Sequence, residues 1–313
     1  MWTRPWTMKE GFAIGAGLIV VGVMLELSVG PVIWDDFRWP VNGIVLAGFL
    51  SIIAIIFLLR KKVYGFQFIG TYQAAIPALA YAVVLTIIMG LTRQELRTGE
   101  GNMWFNNMLS FWPFVLIYVY MSVILGVVIL RRLSQIANRK TSNRKWQDIP
   151  FLLNHLGLFI AMTTATLGNA DIQRLRMITV KGEPEWRAMD QRGMIVEMPI
   201  IIELKEFIME VYDDGDAEQS SPVRSLSPKR FASDIQIQTK TGKNIQATVE
   251  VNKPVEVDGW KIYQYGYDTQ MGAMSDTTIL ELVSDPWLPL VYTGIYMMLA
   301  GAVCMFIFGS RKS

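Results

Sequence analysis

The chain is 313 residues long, 52% hydrophobic and 18% charged, with a formal net charge of +2. With a mean hydropathy of +0.31, it is too apolar for an ordinary soluble protein and too polar to lie wholly in lipid. Its one cysteine, Cys304, excludes an internal disulfide, a CxxC redox pair and a zinc cluster, and the absence of CxxCH excludes covalently carried c-type haem.

Six runs are apolar enough to span a bilayer as helices, at roughly 11–29, 41–59, 71–90, 111–130, 150–168 and 287–308. The first follows Arg4 and Lys9 and has small residues, Ser28 and Gly30, at its end, as a signal peptide would. Glu10 and Glu26 fit a cleaved leader poorly and favour a retained helix. Pro77 falls inside the third run, and Pro113 near the start of the fourth, where a helix accommodates it more easily. Basic residues crowd alternate links: "RKK" at 60–62, then Arg131, Arg132, Arg139, Lys140, Arg144 and Lys145, then "RK" at 311–312. The positive-inside rule therefore predicts cytoplasmic termini and an outer face for the long segment 169–286.

In that segment acidic residues outnumber basic ones, and the pattern is mainly that of strands. "MPIIIELKEFIMEVY" is rich in branched and aromatic residues. "SDIQIQTKTGKNIQATVEV" alternates Ile235 and Ile237, then Ile245, Ala247, Val249 and Val251, around the turn signal Thr241–Asn244. "PVEVDGWKIYQYGYD" carries a second turn at Asp258–Gly259, and "TTILELV" closes the set. The fold class is thus a polytopic α-helical membrane protein of about six spans, with an outer, mainly antiparallel β domain inserted before the last helix. "DDGDAEQSSPVRSLSPKR", 213–230, interrupts the strands as a loop.

Motifs of soluble enzymes are missing: no GxGxxG, Walker loop, GxSxG or HExxH occurs. Asp213, Asp214, Asp216 and Glu218 lack the spacing of a known calcium loop and read as a solvated turn. Glu26 suits a carboxylate among headgroups, which is the plainer account, or else one paired with a basic group or lying on a conduction path. Trp34, Trp39, Trp104, Trp112 and Trp287 fall near outer boundaries, as an interfacial belt or as stacking surfaces for a flat ligand.

His155 is the sole histidine and lies about 8 Å along its helix from Pro150. Phe159, Met162 and Thr166 follow on roughly the same face. Two readings stay open from pattern alone. The ring is either an interfacial imidazole bonded to a neighbouring helix or a metal (haem-iron) ligand, kept neutral by desolvation.

The outer segment resembles the ResB (CcsB) family of cytochrome c biogenesis proteins. Four landmarks carry the likeness: Pro228 to Asp234, Val251 to Pro254, Gly259 to Gln264, and the lead-in to the last helix, Asp285 to Pro289. "NHLGLFIAMTTATLG" and "FWPFVLIYVYMSVILGVVILRRL" resemble the family's helices, so the likeness runs from roughly 71 to 308. It divides the chain into 1–70, two additional helices; 71–168, a three-helix core ending in the His155 helix; 169–286, the β domain; and 287–313, the last helix and basic tail.

What the resemblance implies is a component of system II, in the bacterial inner (cytoplasmic) membrane with its large domain on the periplasmic side. Its implied partners are a CcsA-like membrane protein with a tryptophan-rich WWD segment, apocytochrome c bearing CxxCH, haem and lipid; no nucleic acid is expected. The chain would then be one subunit of a cytochrome c haem lyase (synthase), without conventional catalytic residues of its own. His155 matches the family's axial ligand for transported, non-covalent haem b, and a single histidine leaves the second ligand to another subunit or to a methionine. The alternatives are a scaffold that chaperones apocytochrome c without binding haem, or a transporter or receptor subunit with an outer binding domain.

Overall fold

A computed structural model describes residues 2–94, 104–138, 148–211 and 228–309. The chain forms two compact units, one of residues 1–171 and 287–313, the other of residues 172–286. The first contains α1 (Met8–Val29), α2 (Val41–Leu59), the short α3 (Tyr64–Ile69), α4 (Tyr72–Leu91), α5 (Trp112–Ala137), α6 (Ile149–Gly168) and α7 (Leu288–Gly309). All but α3 are long and apolar enough to cross a membrane, which makes this a multi-pass membrane protein.

Local chemistry explains where these helices begin. At the start of α1, Thr7 accepts from the Lys9 N–H at 3.3 Å while its own N–H donates to Glu10 Oε2 at 2.6 Å. This capping box gives Glu10 a structural task. Pro113 and Pro150 stand in the first turns of α5 and α6, where a missing N–H costs no hydrogen bond. α5 runs past its apolar stretch, and the polar extension is anchored at both arginines. Arg131 donates to the Gly70 carbonyl, and Arg132 pairs with the buried Asp148 at the start of α6.

Two apolar clusters centre on α5. Ile53 and Ile56 of α2 meet Val127 and Ile129 of α5 and Phe159 of α6. Phe68 of α3 and Ala74 and Ala78 of α4 meet Ile124 of α5, with Trp6 and Ile14 against them. The two N-terminal spans are therefore built into the helical unit. α1 buries Gly11, Gly15, Gly22 and Glu26, and at Gly22 its backbone lies so near Pro113 that a Cβ would sit 2.6 Å from the proline Cα.

The second unit is one eight-stranded antiparallel sheet in the order β5-β4-β3-β2-β1-β8-β7-β6. Its strands are β1 (Gln173–Val180), β2 (Pro184–Met189), β3 (Ile195–Val211), β4 (Pro228–Thr239), β5 (Asn244–Glu250), β6 (Val255–Val257), β7 (Trp260–Tyr267) and β8 (Thr277–Ser284). Alternate residues, among them Met177, Ile202, Ile237, Val249, Ile262 and Leu282, face a single core. The sheet is rolled on itself, since Ser233 of β4 reaches Thr278 of β8 at 2.9 Å although three strands separate them in the sheet order. Both turn signals hold: β4 and β5 flank Lys240–Lys243, and Asp258 and Gly259 turn at φ 47° and 83° between β6 and β7.

On the outer surface Arg230 of β4 bonds Glu210 of β3 and Glu250 of β5, each at 2.7 Å. The Arg230 guanidinium, with Lys253 second, holds the Glu250 carboxyl down at about 2. A depressed carboxyl contributes stability that is complete above its unfolded value and is lost as pH falls toward the folded one. Arg230→Gln is therefore expected to lower the melting temperature of the full chain at pH 7 and to leave it unchanged near pH 2. Thermal melts of the strand signal at the two pH values check this. Added salt shrinks the pH 7 difference, since the pair is exposed.

Candidate functional site

His155 lies in the second turn of α6, half-buried. Its Nδ1 stands 2.9 Å from the Phe151 carbonyl one turn earlier. A carbonyl can only accept, so Nδ1 is the donor of this bond, and in the tautomer it selects the lone pair is on Nε2. The imidazole stacks on the Phe151 ring at 3.8 Å between centroids, and the Arg132 guanidinium covers that phenyl at 5.2 Å. The Arg132–Asp148 pair thus braces Phe151, and Phe151 braces the histidine by both its ring and its carbonyl. This is the arrangement a metal-binding imidazole needs: tautomer fixed, ring oriented, one nitrogen left over.

The rest of the expected face is filled. Phe159 is buried in the α2–α5–α6 cluster and stacks on Phe49 at 6.4 Å, while the Met162 carbonyl accepts from the Tyr118 hydroxyl at 3.2 Å. Among the described residues no three His, Cys, Asp or Glu side chains come together as a metal site, so His155 offers one ligand. The Asp213–Glu218 cluster lies outside the described residues.

On its adjoining face α6 is set against α7. Gly157 and Gly294 oppose each other so closely that a Cβ on either would lie 2.5 Å from the other's carbonyl oxygen. Beyond them Asn154 bonds the Met305 sulfur at 3.7 Å.

At the far end of α6, Asp171 gathers three elements. Its Oδ1 accepts from the Trp39 N–H at 2.8 Å, and its Oδ2 from Asn42 Nδ2 at 2.7 Å and from the Trp287 indole at 2.6 Å. The sequence pattern did not disclose this node, whose residues come from three distant stretches of the chain: Trp39 and Asn42, Asp171, and Trp287. Asp171→Ala leaves the fully buried Asn42 with one partner fewer and is expected to cost about 2 kcal/mol. The melting temperature and detergent stability of the variant check it, and an unchanged melt would mean that the carboxylate holds nothing.

Two readings of the outer boundary need correction. Glu26 is not among headgroups: it is 6% exposed and accepts from the Trp112 N–H at 3.4 Å, where the start of α5 favours negative charge. Its spacing from Gly11, Gly15 and Gly22 on one helical face is the signal that places it inside. Three of the five tryptophans make specific bonds, which the belt reading leaves out. Trp34 donates to the Leu109 carbonyl at 3.2 Å, Trp112 to the Gly30 carbonyl at 2.8 Å, and Trp287 to Asp171. Trp39 is 70% exposed.

In the β unit, two landmark strands converge. Ser233 and Gln264 both reach the Thr278 hydroxyl, at 2.9 and 2.7 Å, and Thr278 donates to the Gly266 carbonyl at 3.2 Å. Phe207 and Phe231 lie against Tyr267 beside this knot, at 5.0 and 5.2 Å between ring centroids. These six side chains, drawn from four strands, tie β3, β4, β7 and β8 together.

Fold and site together define a six-span membrane protein that carries a separate antiparallel β unit before its last helix and one orientated imidazole in its fifth span. Residues 145–281, from just before α6 into β8, match the family model of the ResB-like family. It holds the His155 helix and three of the four landmarks; Asp285–Pro289 and α1–α5 lie outside it. No curated protein matches the chain. A solved structure named "Cytochrome c Heme Lyase CcmF" is similar at 10% identity and a TM-score of 0.38, over 85% of this chain and 45% of that one. The chain thus spans less than half the length of that protein.

Proposed function

We propose that this chain is the ResB-like subunit of a membrane-bound cytochrome c synthase, working with a CcsA-like WWD partner to pass haem across the inner membrane for attachment to apocytochrome c. The ResB-like match supports a role in cytochrome c biogenesis. The observation that carries the finer reading is His155, whose Nδ1–H is taken by the Phe151 carbonyl while Nε2 is left for iron.

In this reading haem is substrate, and both chain termini face the cytoplasm with the β unit on the outer side. His155 holds the iron during transit, and a second ligand comes from the partner subunit or from a methionine, because this chain has no second histidine. Phe151 and the Arg132–Asp148 pair fix the imidazole's direction. The β unit receives apocytochrome c or braces the complex. Joining CxxCH thiols to haem vinyl groups requires alignment and reduced partners more than a dedicated base. That is compatible with an outer unit lacking histidine.

The test is the visible spectrum of the chain purified together with its membrane partners. A Soret band is the expected result. A colourless complex that still supports cytochrome c maturation would overturn haem binding and leave an apocytochrome scaffold.

A further inference from the structure

Where α2 and α5 end, a recess of about 480 Å³ is lined by Arg60, Arg131, Ser134, Gln135 and Asn138. The lining offers two guanidiniums, a hydroxyl and two carboxamides, with no carboxylate. Helix C-termini present carbonyls that repel anions, but here the arginines counter them. Arg60 donates to the Phe57 carbonyl in the last turn of α2, and Arg131 to the Gly70 carbonyl. A guanidinium has five N–H donors in a fixed fork, so each arginine keeps donors for a ligand. Arg60 also lies 3.6 Å over the Phe57 ring, which holds its plane in place. Lys61 and Lys62 follow, exposed, and add to the positive field.

Depth identifies the ligand class. The apolar run of α2 finishes at Leu59 and that of α5 at Leu130, so Arg60 and Arg131 stand where the two spans leave hydrocarbon, and the recess beside them faces the level of the lipid phosphates. Basic hollows between spans at that level are suited to acidic headgroups. We infer that this recess binds a phosphate-bearing anion, supplied by the headgroup of an acidic phospholipid such as phosphatidylglycerol. The inference is independent of any role of His155.

The experiment is native mass spectrometry of the full chain titrated in detergent with phosphatidylglycerol, with phosphatidylcholine, and with inorganic phosphate. Phosphatidylglycerol is expected to bind the wild type, and Arg60→Gln to weaken it about fivefold. Arg60→Lys, which keeps the charge but loses the fork, should fall between. Arg60→Gln also removes the bond to the Phe57 carbonyl and the contact with its ring, so a helical circular-dichroism signal equal to wild type is needed to show that the loss is local. Gln135→Ala, on the exposed rim, is a second variant expected to weaken binding without touching a main-chain bond. Equal affinity in wild type and both variants would overturn the site. Equal retention of phosphatidylcholine would overturn its selectivity for acidic headgroups, and displacement of the lipid by inorganic phosphate would overturn the lipid as its source.

Discussion

His155→Ala is expected to lower the haem recovered with the purified complex at least about tenfold, the equivalent of 1.4 kcal/mol, with the helical signal unchanged. The argument is one of separable roles. The ring's one hydrogen bond goes to its own helix, at the Phe151 carbonyl, and its stacking partner is the same residue. The neighbouring helices are held instead by Phe159, Tyr118 and Gly157. Deleting the imidazole therefore costs the fold little, while an iron bound to Nε2 loses an axial ligand outright. His155→Gln sharpens the test, since a carboxamide can still donate to the Phe151 carbonyl but offers no imidazole nitrogen to iron. If the histidine were only structural, glutamine would behave as wild type. As a ligand it is expected to fail like alanine, and free imidazole added to the alanine variant should restore part of the Soret absorbance. Haem content that survives both substitutions would place the iron elsewhere.

Much of the architecture is legible in the sequence because lipid imposes one rule, that backbone polar groups be satisfied within each span. α2 begins at Val41 and ends at Leu59 as its apolar run does. α5 differs, running on to Ala137, because Arg131 and Arg132 are bonded to Gly70 and Asp148 and the helix continues past the apolar stretch. The strands with strong branched residues, β3, β4, β7 and β8, stand out. β1 and β2 escape notice because Arg174, Arg176, Glu185 and Arg187 dilute their short apolar sets, and in β1 the polar Thr179 takes the third inward position. Val251, expected to continue the inward set of β5, is 43% exposed, because the strand ends at Glu250 and the chain turns at Asn252, where φ is 65°.

The site is less legible than the fold. A lone histidine can be seen in the sequence, but its tautomer depends on a carbonyl, and every residue has one. Asp171 is similarly hidden, since its importance comes from Trp39, Asn42 and Trp287, which approach it only once α2, α6 and α7 are assembled. The Glu26 case shows the converse. There the heptad-like spacing of three glycines already states which face is buried, and the acid on that face inherits the burial.

Gly157→Leu is expected to destabilise the helical unit by about 3 kcal/mol, and most of the protein is expected to be lost on purification. A Cβ at this position would meet the Gly294 carbonyl oxygen at 2.5 Å, the Met297 Cβ at 2.9 Å and the Met298 nitrogen at 3.0 Å. Two of these are main-chain atoms, so no change of rotamer relieves the overlap and α7 must move away. Lipid tails are as apolar as the helix surfaces they replace, so spans associate through close van der Waals contact, which falls off steeply with separation. A leucine at Gly17, where a Cβ meets nothing within 4 Å, is expected to leave the melt unchanged and serves as the matched control. The bond from His155 to Phe151 lies wholly within α6, so haem per folded chain should stay near the wild-type value even as yield falls. Fluorescence-detected size exclusion with heating measures the first quantity and the Soret-to-protein ratio the second. Equal melting of the Gly157 and Gly17 variants would show that α6 and α7 do not cross backbone to backbone. A folded Gly157 variant without haem would show that the iron site depends on α7 as well as on the helix that carries the imidazole.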